Sequence, residues 1–290
     1  MQFVRIGNPN NAADTNGAPN PAGSVSYLYD MGKFEVSEDM ITKYNANFGT
    51  ANNLEITTTA GGANKPARSI SWNEAARFVN WLNTSTGNSA AYKFTTSGVN
   101  DNIALWDATD TLDYDAANPY RSVRAKYVLP SYNEWHKAAY YDPRSGTYFR
   151  YANGRDTAPN AVASGKGNNT AVYDQSLEQG PADVTQAGGL SPYGVMGLNG
   201  NAWEWEESSF DLLNGSGASH RAIRGGNWHI GSDFMMSSRR YGDAGPDFGD
   251  SGGDIGFRVV SLTTVPEPSV MAIWMLFGLG GLWARKRMRK

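Results

Sequence analysis

Between residues 66 and 87 the chain reads PARSISWNEAARFVNWLNTSTG, and Trp72, Ala75, Phe78, Val79 and Leu82 recur at the spacing of one helical face. Ser71 and Glu74 stand in the S-x-x-E arrangement, in which hydroxyl and carboxylate satisfy the free N–H groups of the first turn. The pattern predicts a helix capped at Ser71. Residues 127–143 repeat the device: Pro130 blocks any upstream helix, Ser131 caps, Glu134 reciprocates, Trp135, Ala138 and Ala139 turn inward, and Pro143 marks the far end. A shorter helix is predicted after a strand over 32–36. Ser37 would be its N-cap, Glu38 and Asp39 would sit in the first turn where the helix dipole favours negative charge, and Phe48 would be near its end.

The remainder lacks a helical period. Residues 85–125, rich in Ser, Thr, Asn, Asp and Tyr, read as loops and short strands. Residues 144–190, rich in Gly, Asn, Asp and Ser, are too long for an ordinary connection, and so are expected to be disordered or pinned by something such as a metal. After Ser191, the stretches PYGVMGLNGNAWEWEESSF, HRAIRGGNWHIG and MMSSRRYGDAGPDFGDSGGDIGFRVVSL read as short strands joined by turns. No internal repeat is visible.

Composition narrows the chemistry. Hydrophobic residues make up 40%, charged residues 18% and aromatic residues 12%, with 33 glycines, which suits long ordered loops packed on aromatic anchors. Five of the 25 basic residues and one of the 28 acidic residues lie beyond Thr264. Residues 1–264 therefore carry 20 basic and 27 acidic groups, a net charge of -7. That balance speaks against nucleic acid, which needs clustered Lys and Arg. With no cysteine, disulfides, thiolate nucleophiles and thiol-bound copper are all excluded. His136, His220 and His229 have no metal-binding spacing and are expected to be packing or surface imidazoles.

The C-terminal stretch reads as an address. Pro266, Glu267 and Pro268 precede a charge-free apolar run over 270–284 and a basic end at 285–290. The run is apolar on all sides and contains GLGG, which argues against an amphipathic core helix. It is shorter than the roughly 20 residues of an independent membrane span, but it spans with help from its flanks, and the basic end stays cytoplasmic. This order resembles the PEP-CTERM sorting signal of Gram-negative bacteria. The resemblance implies an exosortase-type partner at the inner membrane, cleavage near Pro-Glu-Pro, and release to the envelope or an exopolysaccharide matrix. It also implies an export signal upstream, since MQFVRIGNPNNAADTNG has no charged start followed by an apolar run.

Read in order, GKFEVSEDMITKY, PARSISWNEAARFVNWL, VLPSYNEWHKAAYY, YGVMGLNGNAWEW, IRGGNW and DIGFRVV resemble the signature blocks of the formylglycine-generating enzyme (sulfatase-modifying factor) family. The resemblance implies a single irregular α+β domain over 1–262, related to the C-type lectin fold, followed by the sorting signal and its hydrophobic helix over 263–290. Alternation along a strand would put Trp203 and Trp205 on one face, bracing the core, and Glu204 on the other, facing loops. Arg224 is expected to satisfy buried carbonyls or a carboxylate, and the glycines after it to allow close backbone approach.

Family members that make formylglycine use a copper ion held by two cysteines. Serines and glycines stand in the matching stretch here, so copper and formylglycine synthesis are not expected. The family's sulfoxide synthases hold iron in a separate helical domain that this chain lacks. Calcium is the cofactor the resemblance leaves. One site would use Asn160, Ala161, Asp174 and Ser176; another would use Glu204 with the carbonyls of Gly200 and Ala202, weakened because Gly197 stands where the family has a side-chain ligand. A ligand groove between residues 144–190 and 229–254 would draw on Arg239, Arg240, Tyr241, Asp243, Asp247 and Asp254. The function expected is an exported binding or matrix component that takes an exopolysaccharide or a peptide. The alternative is an oxidoreductase of the formylglycine-generating type with a non-thiol mechanism.

Overall fold

Both capping boxes close in the structure, a computed structural model that describes residues 1–249 and 253–262. Ser71 Oγ accepts from Glu74 N–H at 3.1 Å and Glu74 Oε2 accepts from Ser71 N–H at 2.8 Å. Ser131 and Glu134 exchange the same two bonds at 3.3 and 2.6 Å. These local devices start the two longest helices, because each satisfies backbone donors that would otherwise lack partners.

Along the chain come strands β1 (Phe3–Ile6) and β2 (Tyr29–Gly32), helices α1 (Glu38–Tyr44) and α2 (Trp72–Ser85), strand β3 (Tyr127–Val128) and helix α3 (Tyr132–Tyr140). Two-residue strands follow: β4 (Tyr141–Asp142), β5 (Thr147–Tyr148), β6 (Asn160–Ala161) and β7 (Thr170–Ala171). The chain continues with β8 (Trp203–Ser209), β9 (Arg221–Arg224), β10 (Tyr241–Ala244), β11 (Ile255–Gly256) and β12 (Val260–Leu262). The architecture is α+β with few helices. One four-stranded sheet has the order β1-β2-β12-β3 and is antiparallel throughout; the other, β10-β9-β8-β11, is antiparallel except where β11 joins β8. Residues 257–259 carry the chain from the second sheet to the first, so Phe257, Val259 and Arg258 lie at their junction. Among the described residues no helix is long and apolar enough to cross a membrane.

The core collects the predicted faces and more. Trp72, Ala75, Phe78 and Val79 of α2 are buried as expected, whereas Leu82 is only half-buried. In α3, Trp135, Ala138 and Ala139 are buried together with Glu134, His136 and Lys137. Trp72, Trp135, Trp205 and Trp228 are all buried large side chains; truncating one to alanine would cost about 3–5 kcal/mol.

Three local expectations need correction. The strand expected at 32–36 ends at Gly32, because Gly32 and Val36 bond to the carbonyls of Val259 and Phe257 with the intervening residues bent away from a regular ladder. Ser37 occupies the N-cap position of α1, but its side chain makes no cap bond. The helical path itself runs to near Phe48 as expected, with α-helical turns to Tyr44 and a wider π-helical turn over Asn45–Gly49, where the Asn45 side chain bonds both N–H and C=O of Ile56. Residues 144–190 are ordered by backbone pairing: β6 runs parallel to β7, and the bridges Gly165 to Ala187 and Ala171 to Gly188 tie the rest. In the stretch 85–125, Asn80 Oδ1 accepts from Ala91 and Tyr92 N–H, both at 2.9 Å, and so stands in for a missing strand partner.

Candidate functional site: an aromatic face beside a histidine–carboxylate pair

Strand β8 carries the sequence WEWEESS, and all seven of its residues are buried. Its three glutamates each meet an arginine. Glu204 Oε2 accepts from Arg258 Nε at 2.5 Å and from Trp135 Nε1 at 2.7 Å, while Arg258 Nη2 bonds Oε1. Glu206 bonds Arg224, and takes Arg240 Nε at 2.7 Å. Glu207 takes Arg121 Nε and Asn118 Nδ2, both at 2.7 Å, and Tyr92 OH at 2.8 Å. Burial pushes the Glu206 carboxyl up, but Arg224 and Arg240 outweigh it and hold the group below the usual carboxylate range. The expectation that Glu204 faces loops is therefore corrected. β11 lies parallel beside β8, brings Arg258 across the sheet junction, and closes the carboxylate into the core.

The predicted calcium ligands have different fates. At Glu204 both oxygens already hold donors, so a cation there would have to displace a guanidinium; the donor set does not fit a calcium site. The space left by Gly197 is taken by another acid. A Cβ at Gly197 would lie 3.1 Å from Glu35 Oε2, and Asn201 Nδ2 donates to both Glu35 oxygens at 3.1 and 2.8 Å. Burial, then the neighbouring Glu204, pushes Glu35 up to about 8, so this carboxyl keeps its proton at neutral pH. Gly200 sits at φ +80°, and a Cβ there would collide with the carbonyl of Val172. Asn160, Ala161, Asp174 and Ser176 are exposed, and Tyr173 OH, donating to Pro159 O at 2.6 Å, draws their two segments together. Ser176 Oγ accepts from Gln179 N–H at 3.3 Å. Among the described residues no group of three or more His, Asp or Glu side chains could hold a metal ion.

The predicted groove splits in two. Arg240 is anchored inward on Glu206 and on the carbonyls of Ser209 and Phe210, so it braces β8. Arg239 is exposed, and its carbonyl accepts from Arg224 Nη1 at 3.1 Å; Asp247 is exposed, and Asp243 lies within β10. Tyr241 and Asp254, by contrast, both neighbour Trp203. Tyr241 packs with Trp203 and Phe234, with ring centroids 5.2 and 5.1 Å away, and Phe234 is 38% exposed. The Trp203 N–H donates to Asp254 O at 3.0 Å, which links the aromatic face to a polar cluster. There His229 Nε2 lies 3.0 Å from Asn227 Nδ2 and 3.4 Å from Asp254 Oδ2, and Asn227 also bonds Asp254. Asn227 Oδ1 accepts from the backbone N–H groups of His229 and Ile230, both at 3.1 Å, which sets the turn that presents the imidazole. Arg68 lies over Trp228 with its guanidinium 4.9 Å from the ring, and bonds Gly253 O.

Sequence reading missed Phe234, Asn227 and His229 as neighbours of Tyr241 and Asp254. The one available signal was Asn-x-His straight after two glycines, an Asx-type turn that aims a side chain outward. A second imidazole is shut away: His136 Nε2 meets Asp14 Oδ2 at 2.9 Å under residues 14–23, and burial pushes it down to about 4.

The family model for the Sulfatase-modifying factor enzyme 1-like domain matches residues 3–262. The chain belongs to that family. The chain is similar to the hercynine oxygenase of Mycolicibacterium thermoresistibile, 30% identical over 132 residues, which is 40% of this chain and 28% of that protein. The chain thus spans well under half of the length of this relative. Among solved structures it shares its fold with CarF (TM-score 0.63, 18% identity, 91% of this chain and 99% of that one). It also shares it with Treponema denticola variable protein 1 (TM-score 0.59, 19% identity, 89% and 94%). Pro266, Glu267, Pro268 and the apolar run over 270–284 lie outside the described residues.

Proposed function

We propose that this sulfatase-modifying factor-like chain is an exported, non-catalytic binding component that takes a glycan of the envelope or exopolysaccharide matrix on the face formed by Trp203, Phe234 and Tyr241. The observation that carries this reading is the aromatic trio with its exposed Phe234, set beside the half-buried His229 and Asp254. Sugar rings stack their C–H faces on aromatic rings, and a carboxylate with an imidazole at the edge accepts from and donates to hydroxyls. The absence of cysteine removes the thiol pair for copper. Sorting through an exosortase-type partner is proposed on the Val-Pro-Glu-Pro sequence, the apolar run and the basic end. A glycan array probed with the purified chain tests the reading. Retention of defined glycans that Phe234→Ala abolishes is the expected result; no retention, or equal retention by the variant, rejects it.

A second reading is favoured by the similarity to a hercynine oxygenase: an oxidative enzyme with a non-thiol mechanism. Incubation with Cu(I) or Fe(II), oxygen and either a sulfatase-motif cysteine peptide or hercynine with a thiol donor separates the two readings. Oxidised product in any arm supports the enzyme; none is expected from the binding component.

A further inference from the structure

Three tight turns converge on a cavity that shares no residue with the aromatic face. The turn over residues 151–155 is closed by Tyr151 N–H to Arg155 O at 3.0 Å and Gly154 N–H to Tyr151 O at 3.1 Å. That over 167–170 is closed by Thr170 N–H to Gly167 O at 3.2 Å, and that over 191–195 by Ser191 N–H to Val195 O and Gly194 N–H to Ser191 O, both at 2.8 Å. The cavity between them holds 430 Å³, and its polar wall is Arg144, Asn153, Arg155, Asn168, Asn169 and Ser191. This lies within the roughly 300–1,000 Å³ of small-molecule sites.

The charges and amides of that wall are unequal. Arg144 is committed to Asp142 through Nε at 3.0 Å and Nη2 at 2.8 Å, which leaves that pair neutral. Arg155 is exposed and its guanidinium has no hydrogen bond or ion pair among the described residues. No acidic side chain lines the cavity, so it carries one uncompensated positive charge. Asn153 Nδ2 donates to Asn169 Oδ1 at 2.6 Å, and this leaves Asn153 Oδ1 buried with no partner. A buried acceptor without a donor is a standing cost, removed when a ligand hydroxyl reaches it as the amide turns toward the space its residue lines.

We propose that this cavity binds an acidic sugar, a hexuronate residue whose carboxylate pairs with Arg155 and whose hydroxyls bond Asn153, Asn168 and Asn169. Arginine presents two parallel N–H groups that match one carboxylate. Carboxamides both donate and accept, as vicinal hydroxyls require. A single free cation suits one carboxylate better than a doubly charged phosphate, and the three carboxamides beside it, Asn153, Asn168 and Asn169, suit a carboxylate flanked by hydroxyls better than an acidic peptide side chain, which carries none. The site stands on its own geometry and does not require the aromatic face to bind anything.

Isothermal titration of the full chain with digalacturonate, cellobiose and inorganic phosphate tests this. Digalacturonate is expected to bind saturably, and about tenfold or more weaker in Arg155→Gln, the loss of one charge-assisted pair. Asn168→Asp, a change at an exposed residue that sets a negative charge beside the ligand, is expected to weaken it as well. Phe234→Ala is expected to leave this binding unchanged even if it abolishes glycan capture by the aromatic face, so the two sites fail separately. No digalacturonate binding, cellobiose or phosphate bound as tightly, or unchanged affinity in either Arg155→Gln or Asn168→Asp would overturn the proposal.

Discussion

Arg258 grips Glu204 at the junction of the two sheets, with Nε on Oε2 at 2.5 Å and Nη2 on Oε1, and both side chains wholly buried. The same guanidinium donates to Gly32 O at 2.9 Å and Met196 O at 3.0 Å, so one side chain ties β8, β2 and the loop before β8 together. Removing one partner leaves a buried charge with nothing to neutralise it. Arg258→Met is expected to lower the unfolding free energy by about 3–5 kcal/mol, and Glu204→Leu combined with Arg258→Met to cost less than the two single changes added. Urea denaturation of the three variants measures this; strict additivity would contradict it.

Glu35 makes stability depend on pH in an unusual direction. Its folded value of about 8 lies above the ordinary carboxylate value, so the folded chain keeps a proton that the unfolded chain gives up between about pH 4.5 and 8. Its contribution is therefore fully present below the unfolded value and falls as pH rises through that window. His136, depressed to about 4, acts oppositely: stability rises from about pH 4 to its unfolded value near 6.5. Between pH 6.5 and 8 only the Glu35 slope of this pair remains. Wild type is expected to lose stability there relative to Glu35→Gln, in denaturant midpoints taken at half-unit steps; parallel curves would show that Glu35 is already ionised at pH 6.5.

Gly200 and Gly180 both have positive φ, +80° and +66°, but only Gly200 has a backbone carbonyl where a Cβ would stand, whereas Gly180 faces open space. Gly180→Ala is expected to cost about 1–3 kcal/mol from backbone conformation alone, because φ +66° with ψ 175° is a region that L residues hardly adopt. Gly200→Ala should cost clearly more, or prevent folding, because Val172 must move as well. Equal midpoint shifts for the two variants would show that the Val172 carbonyl gives way freely.

What the sequence disclosed follows the range of the forces involved. The helices α2 and α3 were legible because a capping box acts within four residues and a helical face within one turn, and the six blocks were enough to mark the family. The arginine partners of β8 were not legible: Arg258 is 54 residues from Glu204 and Arg121 is 86 from Glu207, and no local rule pairs them. The alternation that put Glu204 opposite the tryptophans was sound as strand geometry, but it could not say that Trp135 of α3 and Arg258 would close over that side. Residues 144–190 looked in need of a pin because backbone hydrogen bonds, which hold them, leave almost no mark on side-chain identity. Within the groove, Tyr241 and Asp254 were picked out, but His229 was not, because its place beside Asp254 depends on the turn that Asn227 sets.

Trp203 and Phe234 touch the same surface but carry different weight in the fold, with Trp203 7% exposed and Phe234 38% exposed. Trp203→Ala is expected to destabilise by about 3–5 kcal/mol, whereas Phe234→Ala should change stability by about 1 kcal/mol or less. Differential scanning calorimetry of the two variants checks this, and a collapse of the Phe234→Ala protein would make that ring part of the core.

The most direct test is a tryptophan-fluorescence titration of the wild-type chain and of Phe234→Ala with a glycan retained on the array, at matched folding. The account predicts a saturable change for wild type and its loss in the variant. Equal titrations for both proteins, or copper-dependent oxygen consumption by the wild-type chain with a cysteine peptide, would contradict a binding role at this face.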